Sequence, residues 1–335
     1  MPDVSKNFWT SGQRPLLMLA PMEDVTDTAF REVVLRNTNP GALNVVFTEF
    51  TSTDGLCHPK GREATIHRLY VSDTERALLK EKGVKIVAQI WGNNPTHFYD
   101  SVRMISQEMA FDGIDINMGC PVRKVVANGC GSALIDDEPL AAEIIAATRE
   151  ATSLPVSVKT RLGVKIVDTE RWISFLLEQP LDGIILHGRI QKQMSEGDAD
   201  WNEIARAVAI RNSKGLSIPI IGNGDVFSLE QAHNNIKKYG TDGVMIGRGI
   251  FSNPWLFAEK LPQEISIQKR VDTLLTHINL FEKKGTSIKA FPVLKRFFKI
   301  YISGFNGAAE LRSQLMQTST PSEARNLLNN FIAVA

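Results

Sequence analysis

Cys120 stands in Met118-Gly119-Cys120-Pro121, directly after the apolar run GIDIN (113–117). The glycine lets the backbone turn, and the proline fixes φ and removes a donor, so the thiol between them is held on a stiff loop. A cysteine so placed can be a nucleophile, a metal ligand or a proton donor. No His or Cys stands beside it at metal-ligand spacing, and no adjacent side chain is an obvious base for acyl transfer. Proton donation to a carbon centre stays open, beside the plainer reading of a small buried core thiol. Asn117, three residues back, carries the donor and acceptor needed to read a planar amide such as a pyrimidine edge. Cys130, among the glycines of NGCGSAL, is expected to be incidental.

Other chemistry-bearing residues also end apolar runs. Pro21-Met22-Glu23 follows LLMLA, Thr48-Glu49 follows LNVVF, Gln89 closes VKIVAQI, and His187 closes GIILH. Lys159 and Arg161 end PVSVKTR; two apart, they point to one side of an extended segment. Paired cations repel unless something negative lies between or above them, and an electron-rich ring that gains charge on reduction would serve. The runs IPIIGNGDV and GVMIGRGI end in Asn223-Gly224-Asp225 and Gly247-Arg248. Small residues there bring backbone N–H groups close to an anion, the following helix starts favour negative charge, and Arg248 adds a charge-assisted fork. The glycines would equally permit tight turns. Eight consecutive runs ending in such residues exceed what helix capping requires, and a functional pocket is expected.

The elements that must position these residues follow from hydrophobic patterning. LLMLA (16–20), LNVVF (43–47), VKIVAQI (84–90), GIDIN (113–117), PVSVK (155–159), GIILH (183–187), IPIIG (218–222) and GVMIG (243–247) read as buried parallel strands. Amphipathic stretches such as PTHFYDSVRMISQEMA and EPLAAEIIAATREA separate them. Eight strands alternating with helices over roughly 250 residues predict an α/β fold, a (β/α)8 TIM barrel, with chemistry at the C-terminal strand ends and phosphate near the last two. A doubly wound sheet is disfavoured because no G-x-G-x-x-G follows a first strand. The alternation stops near Ser252-Asn253-Pro254, and VDTLLTHINLFEKK and FPVLKRFFKIYISG carry helical spacing. Residues 1–260 are read as the barrel and 261–335 as a small all-helical domain.

The net charge of the 335 residues is only +1, but Lys260 to Ala335 hold eleven Lys and Arg against five Asp and Glu. A basic tail on an acidic body points to an anionic macromolecular partner, and Lys283, Lys284, Lys289, Lys295, Arg296 and Lys299 are the cations expected to face it. Three cysteines form no disulfide framework and no C-x-x-C pair, as in a reducing cytoplasm. The first residues lack a signal peptide's apolar run, and no segment is long enough to span a membrane. The expected location is cytoplasmic, with no membrane association and no metal.

Taken together, APMEDVTDTAFR, TEF, INMGCPVRKVVANGCGSALIDD, LPVSVKTRLG, HGR with GDADW, IIGNGDV and VMIGRG occur in the order and approximate spacing of the tRNA-dihydrouridine synthases, and the chain resembles that family over nearly its whole length. The resemblance implies an FMN-bearing barrel, a helical domain that helps to grip tRNA, and reduction of the 5,6 double bond of selected uridines with NADPH (or NADH) recharging the flavin. By the same resemblance Pro21, Met22, Glu23, Gln89, Lys159 and His187 would lie against the flavin. Asn223, Gly224, Asp225, Gly247 and Arg248 would hold its phosphate end, Asn117 and Arg161 would meet the uracil, and Cys120 would be the general acid. The chain departs from many relatives at Asp24, where they read Gly, at Ile190, where they read Thr, and around Ser195, where a tyrosine is common. An FMN barrel acting on a free small molecule would have no use for the basic tail. A tRNA-binding protein with a dead barrel would not need Cys120, Lys159 and the phosphate glycines.

Overall fold

The computed structural model describes residues 7–11, 14–284 and 289–334; the side chain of Lys284 lies outside the described residues. The eight apolar runs form strands β1 (Leu16–Leu19), β2 (Val45–Phe47), β3 (Lys85–Trp91), β4 (Gly113–Met118), β5 (Val156–Arg161), β6 (Gly183–His187), β7 (Ile220–Asn223) and β8 (Gly243–Ile246). Each pairs in parallel with the next, and β1 pairs with β8, which closes the barrel. Covered on both faces, such strands carry nearly continuous apolar sequence. A two-residue strand that the pattern did not reveal, Thr51–Ser52, pairs with β3 at Ile90 and Trp91.

Helices α1 (Thr28–Arg36), α2 (Asp73–Lys82), α3 (Pro95–Glu108), α4 (Glu138–Glu150), α5 (Thr169–Leu177), α6 (Trp201–Ser213) and α7 (Leu229–Tyr239) run outside the strands. Asp27, Ser72, Asn94, Asp137, Asp200 and Ser228 each accept a first-turn N–H, which fixes where α1, α2, α3, α4, α6 and α7 begin. Inside the barrel the lower layers are apolar: Met18, Phe47, Val87, Ile185, Ile221 and Met245 meet Phe8 and Trp9 from the N-terminal turn. Trp9 seats on Gly183, where an added Cβ would fall 2.4 Å from the indole, so the floor requires glycine.

Beyond the barrel come α8 (Ile267–Lys284), the short turns Pro292–Lys295 and Phe298–Tyr301, then α9 (Ala308–Gln317) and α10 (Pro321–Val334). These helices pack onto α1. The Phe30 ring lies 5.3 Å from Phe297 and 5.9 Å from His277, and one apolar core runs through both regions. The change near residue 260 is therefore a change of architecture without a break in packing. Among the described residues no helix is long and apolar enough to cross a membrane.

Candidate active site

Strand alternation decides which side chains reach the mouth. Above the apolar layers, Gln89, Asp115, Asn117, Ser157, Lys159, Arg161, His187 and Asn223 continue the inward-facing rows. They lead to a cavity of about 190 Å³, lined by Pro21, Met22, Lys159, His187, Asn223 and Arg248 among others. Gly224, Asp225 and Gly247 also line it. A Cβ on Gly247 would meet only Ala20 at 3.6 Å, so the missing side chain keeps that wall open.

The electrostatics are strongly cationic at the centre. Lys159 opens to the cavity but its ammonium is ringed by protein; burial, then Arg161, lowers its pKa to about 8 against the opposing pull of Asp115. Burial and the four cations Lys159, Arg161, Arg189 and Arg248 hold His187 well below its ordinary value, so the imidazole is neutral. Arg189 Nη1 lies 3.1 Å from His187 Nε2; because guanidinium only donates, that nitrogen is the acceptor.

Several predicted contact residues are engaged within the protein. Gln89 is fully buried, and its amide is committed to Asp115 and Asn117. The Asn117 oxygen accepts the N–H groups of Gly119 and Cys120. Arg161, expected at the uracil, donates to Gly119 O at 2.7 Å, Met194 O at 2.8 Å and Ile190 O at 3.3 Å. It thereby straps the Cys120 loop to the loop after β6. Asp225, expected at a phosphate, spends its carboxylate on Arg189, Arg248 and the Ala199 N–H. Burial pushes Asp225 upward, but those partners outweigh it and hold the carboxyl below its usual value. The carboxylate thereby holds both arginines beside the cavity. The helix expected after β8 is a single turn, Gly249–Ser252, too short to add a useful dipole, and Arg248 supplies the charge at that end.

Cys120 is 8 % exposed, packed with Val125 and Cys130. Burial pushes its thiol up, against a hydrogen bond from the Val122 backbone and the charge of Arg161. The thiol therefore stays protonated at neutral pH, the state a proton donor needs and a thiolate nucleophile does not. Glu23, expected beside the cofactor, is not among the residues lining the cavity and pairs with Arg68. Cys130 is buried and pushed to about 11, first by burial.

Sequence reasoning missed three residues and misplaced a fourth. Arg189, 1 % exposed, ties Glu196 O and Gly197 O to Asp225. Its signal was available in HGR, two residues after His187. Asp115 is a carboxylate in the middle of a buried strand, which the run GIDIN displayed openly. Arg68 lies in the turn Ile66–Leu69 and had no signal. Lys289 was expected to face a polyanion. Instead it reaches the rim, 2.9 Å from Glu49, 3.4 Å from Asp27 and 3.8 Å from Asp24, with its side chain 9 % exposed. The cations left on the surface of the tail include Lys283, Arg296 and Lys299.

Comparison with known proteins agrees with this architecture. The family model described as Dihydrouridine synthase matches residues 18–335. A Staphylococcus aureus (strain MRSA252) protein named "Probable tRNA-dihydrouridine synthase" is 44 % identical over 332 residues, covering 98 % of this chain and 97 % of its own. A Bacillus subtilis (strain 168) protein named "Probable tRNA-dihydrouridine synthase 2" is 42 % identical over 331 residues, again covering 98 % and 97 %. Among solved structures, histamine dehydrogenase from Rhizobium sp. 4-9 superposes with a TM-score of 0.53 at 13 % identity, over 79 % of this chain and 48 % of that one. A 2-naphthoyl-CoA reductase complex gives 0.52 at 12 % identity, over 72 % and 49 %. The chain thus spans about half the length of those two structures, and the likeness to them is one of fold.

Proposed function

The chain belongs to the dihydrouridine synthase family, and from that premise we propose that it reduces the C5–C6 double bond of selected uridines in tRNA, with FMN as resident cofactor, NADPH as electron donor and Cys120 as proton donor. The observation that carries the reading is a protonated thiol on a braced Gly-Cys-Pro loop just behind the cavity lining, tied by Gly119 O to Arg161, which lines the cavity beside Lys159.

The residues present fit a flavin mononucleotide. Arg248 and the backbone at Gly224 and Gly247 suit its phosphate, while Lys159, neutral His187 and Met22 suit its ring. When bound, the flavin supplies hydride to one carbon of the double bond. Cys120 holds the proton for the other carbon, so one hydride and one proton saturate the bond and leave a thiolate that must be reprotonated. Lys159 provides positive charge where the ring becomes negative. Arg161 lines the cavity and keeps Cys120 in place through Gly119 O, with its Nη2 left to meet the base. Uracil in folded tRNA must leave its stack to reach this depth. Residues 261–335 are the proposed tRNA grip, with Lys283, Arg296 and Lys299 toward phosphates. The protein would work in the cytoplasm, where its three cysteines stay free.

The test is Cys120→Ala. The variant should keep its bound flavin absorbance and its tRNA affinity while dihydrouridine formation falls about 10²- to 10⁴-fold, the usual worth of a general acid. Parent-like uridine reduction would remove Cys120 from the mechanism.

A further inference from the structure

A chain of hydrogen bonds runs under the mouth from strand to strand. Ser157 Oγ donates to Asp115 Oδ1 at 2.6 Å, and Gln89 Nε2 donates to Asp115 Oδ2 at 2.7 Å. Asn117 Nδ2 donates to Gln89 Oε1 at 3.0 Å, and Asn117 Oδ1 accepts from Gly119 N at 3.1 Å and Cys120 N at 2.9 Å. Asp115, Gln89 and Ser157 are 0 % exposed and Asn117 is 7 % exposed, so water does not substitute for any link. Register makes the chain possible: Gln89, Asp115 and Ser157 are direct cross-strand partners on β3, β4 and β5.

The polarity of this chain is forced from both ends. Backbone N–H groups only donate, so Asn117 must turn its oxygen to the Cys120 loop and its NH2 to Gln89. Gln89 must then present its oxygen to Asn117 and its NH2 to an acceptor. We infer that Asp115 is a positioning residue: as the acceptor ending the chain, it fixes both amides in the one orientation that holds the Gly119–Cys120 backbone. Protonation leaves the chain intact, because a proton on Oδ1 turns the Ser157 hydroxyl from donor to acceptor. That tolerance matters, since burial raises Asp115 to about 7 against its hydrogen bonds and Lys159. The consequence for uridine reduction rests on Cys120 being the proton donor proposed above; the consequence for the loop does not.

Three variants separate the role of amide orientation from that of charge or simple packing, read by peptide-resolved iodoacetamide alkylation of Cys120 in the full-length protein. Asp115→Leu removes the acceptor and should raise the alkylation rate about tenfold, the loss of roughly one buried hydrogen bond holding the loop. Asp115→Asn keeps an oxygen for Gln89 and turns its NH2 to Ser157, so the rate should stay within about twofold of the parent. Gln89→Glu guards against a misfolded leucine variant. Its acid form mimics the amide by donating to Asp115, whereas two ionised carboxylates repel. Its rate relative to the parent at the same pH should be near one at about pH 6 and rise about tenfold by about pH 9. The inference fails if Asp115→Leu folds and leaves Cys120 as protected as before, if Asp115→Asn matches the leucine variant, or if the Gln89→Glu ratio is flat with pH. These alkylation readouts stand even if Cys120 proves not to be the uridine's acid.

Discussion

Lys159 carries a charge that its surroundings disfavour. Its folded pKa is depressed from 10.5 to about 8, so the ammonium persists below that value and is lost as pH rises through it. If the cation serves a ring that becomes anionic, kcat for uridine reduction falls above about pH 8; Lys159→Arg, charged throughout, should lack that limb. An unchanged alkaline limb in the arginine variant would assign it to another group. Much of this residue-scale picture was legible. Cys120, Lys159, Arg161, His187, Asn223 and Arg248 were picked out because a polar side chain ending a buried strand must face the mouth of a barrel. What each one touches was not legible, because spacing along a strand carries no information about cross-barrel partners. Gln89, Asn117 and Arg161 were assigned to ligands, yet much of their hydrogen-bonding capacity is used on one another's loops. Asp24 is a case where structure explains a departure. Its φ of +56° is left-handed, a conformation glycine adopts freely and Asp tolerates better than most.

At the scale of elements, the mouth is braced by arginines gripping backbone. The loop after β6 is held by Arg161 at Ile190 O and Met194 O, by Arg189 at Glu196 O and Gly197 O, and by Arg248 at Ser195 O. The tail contributes a second brace. Glu49, at the end of β2, has a side chain 1 % exposed; burial raises its pKa, and Lys289 is the chief opposing charge. Removing one member of a buried pair strands the other, so Lys289→Met should cost about 3 kcal/mol in urea unfolding. Glu49→Gln added to it should recover most of that loss, and additive losses would show that the two do not act as a pair. The strands were legible almost to the residue, since burial on both faces keeps most of their positions apolar. Thr51–Ser52 escaped because two residues make no pattern. The Lys289 contact escaped because it joins positions 240 apart in the chain.

Across the whole molecule, barrel and helical tail share a core through Phe30, Phe297 and the buried His277–Tyr301 hydrogen bond of 3.0 Å. The architecture on each side of residue 260 was readable from periodicity, but this junction was not, because apolar faces do not announce which neighbour they cover. The opposite end of the barrel has a consequence for the order of events. Phe8 and Trp9 stopper the base, and the layers above them are solid with side chains, so traffic uses one doorway. On the proposed function a nicotinamide and a transfer RNA would both need that doorway, and they are too bulky to occupy it together. They must alternate, and steady-state data at several fixed concentrations of one against the other should give parallel reciprocal lines, the mark of a ping-pong cycle; intersecting lines would mean that both are admitted at once.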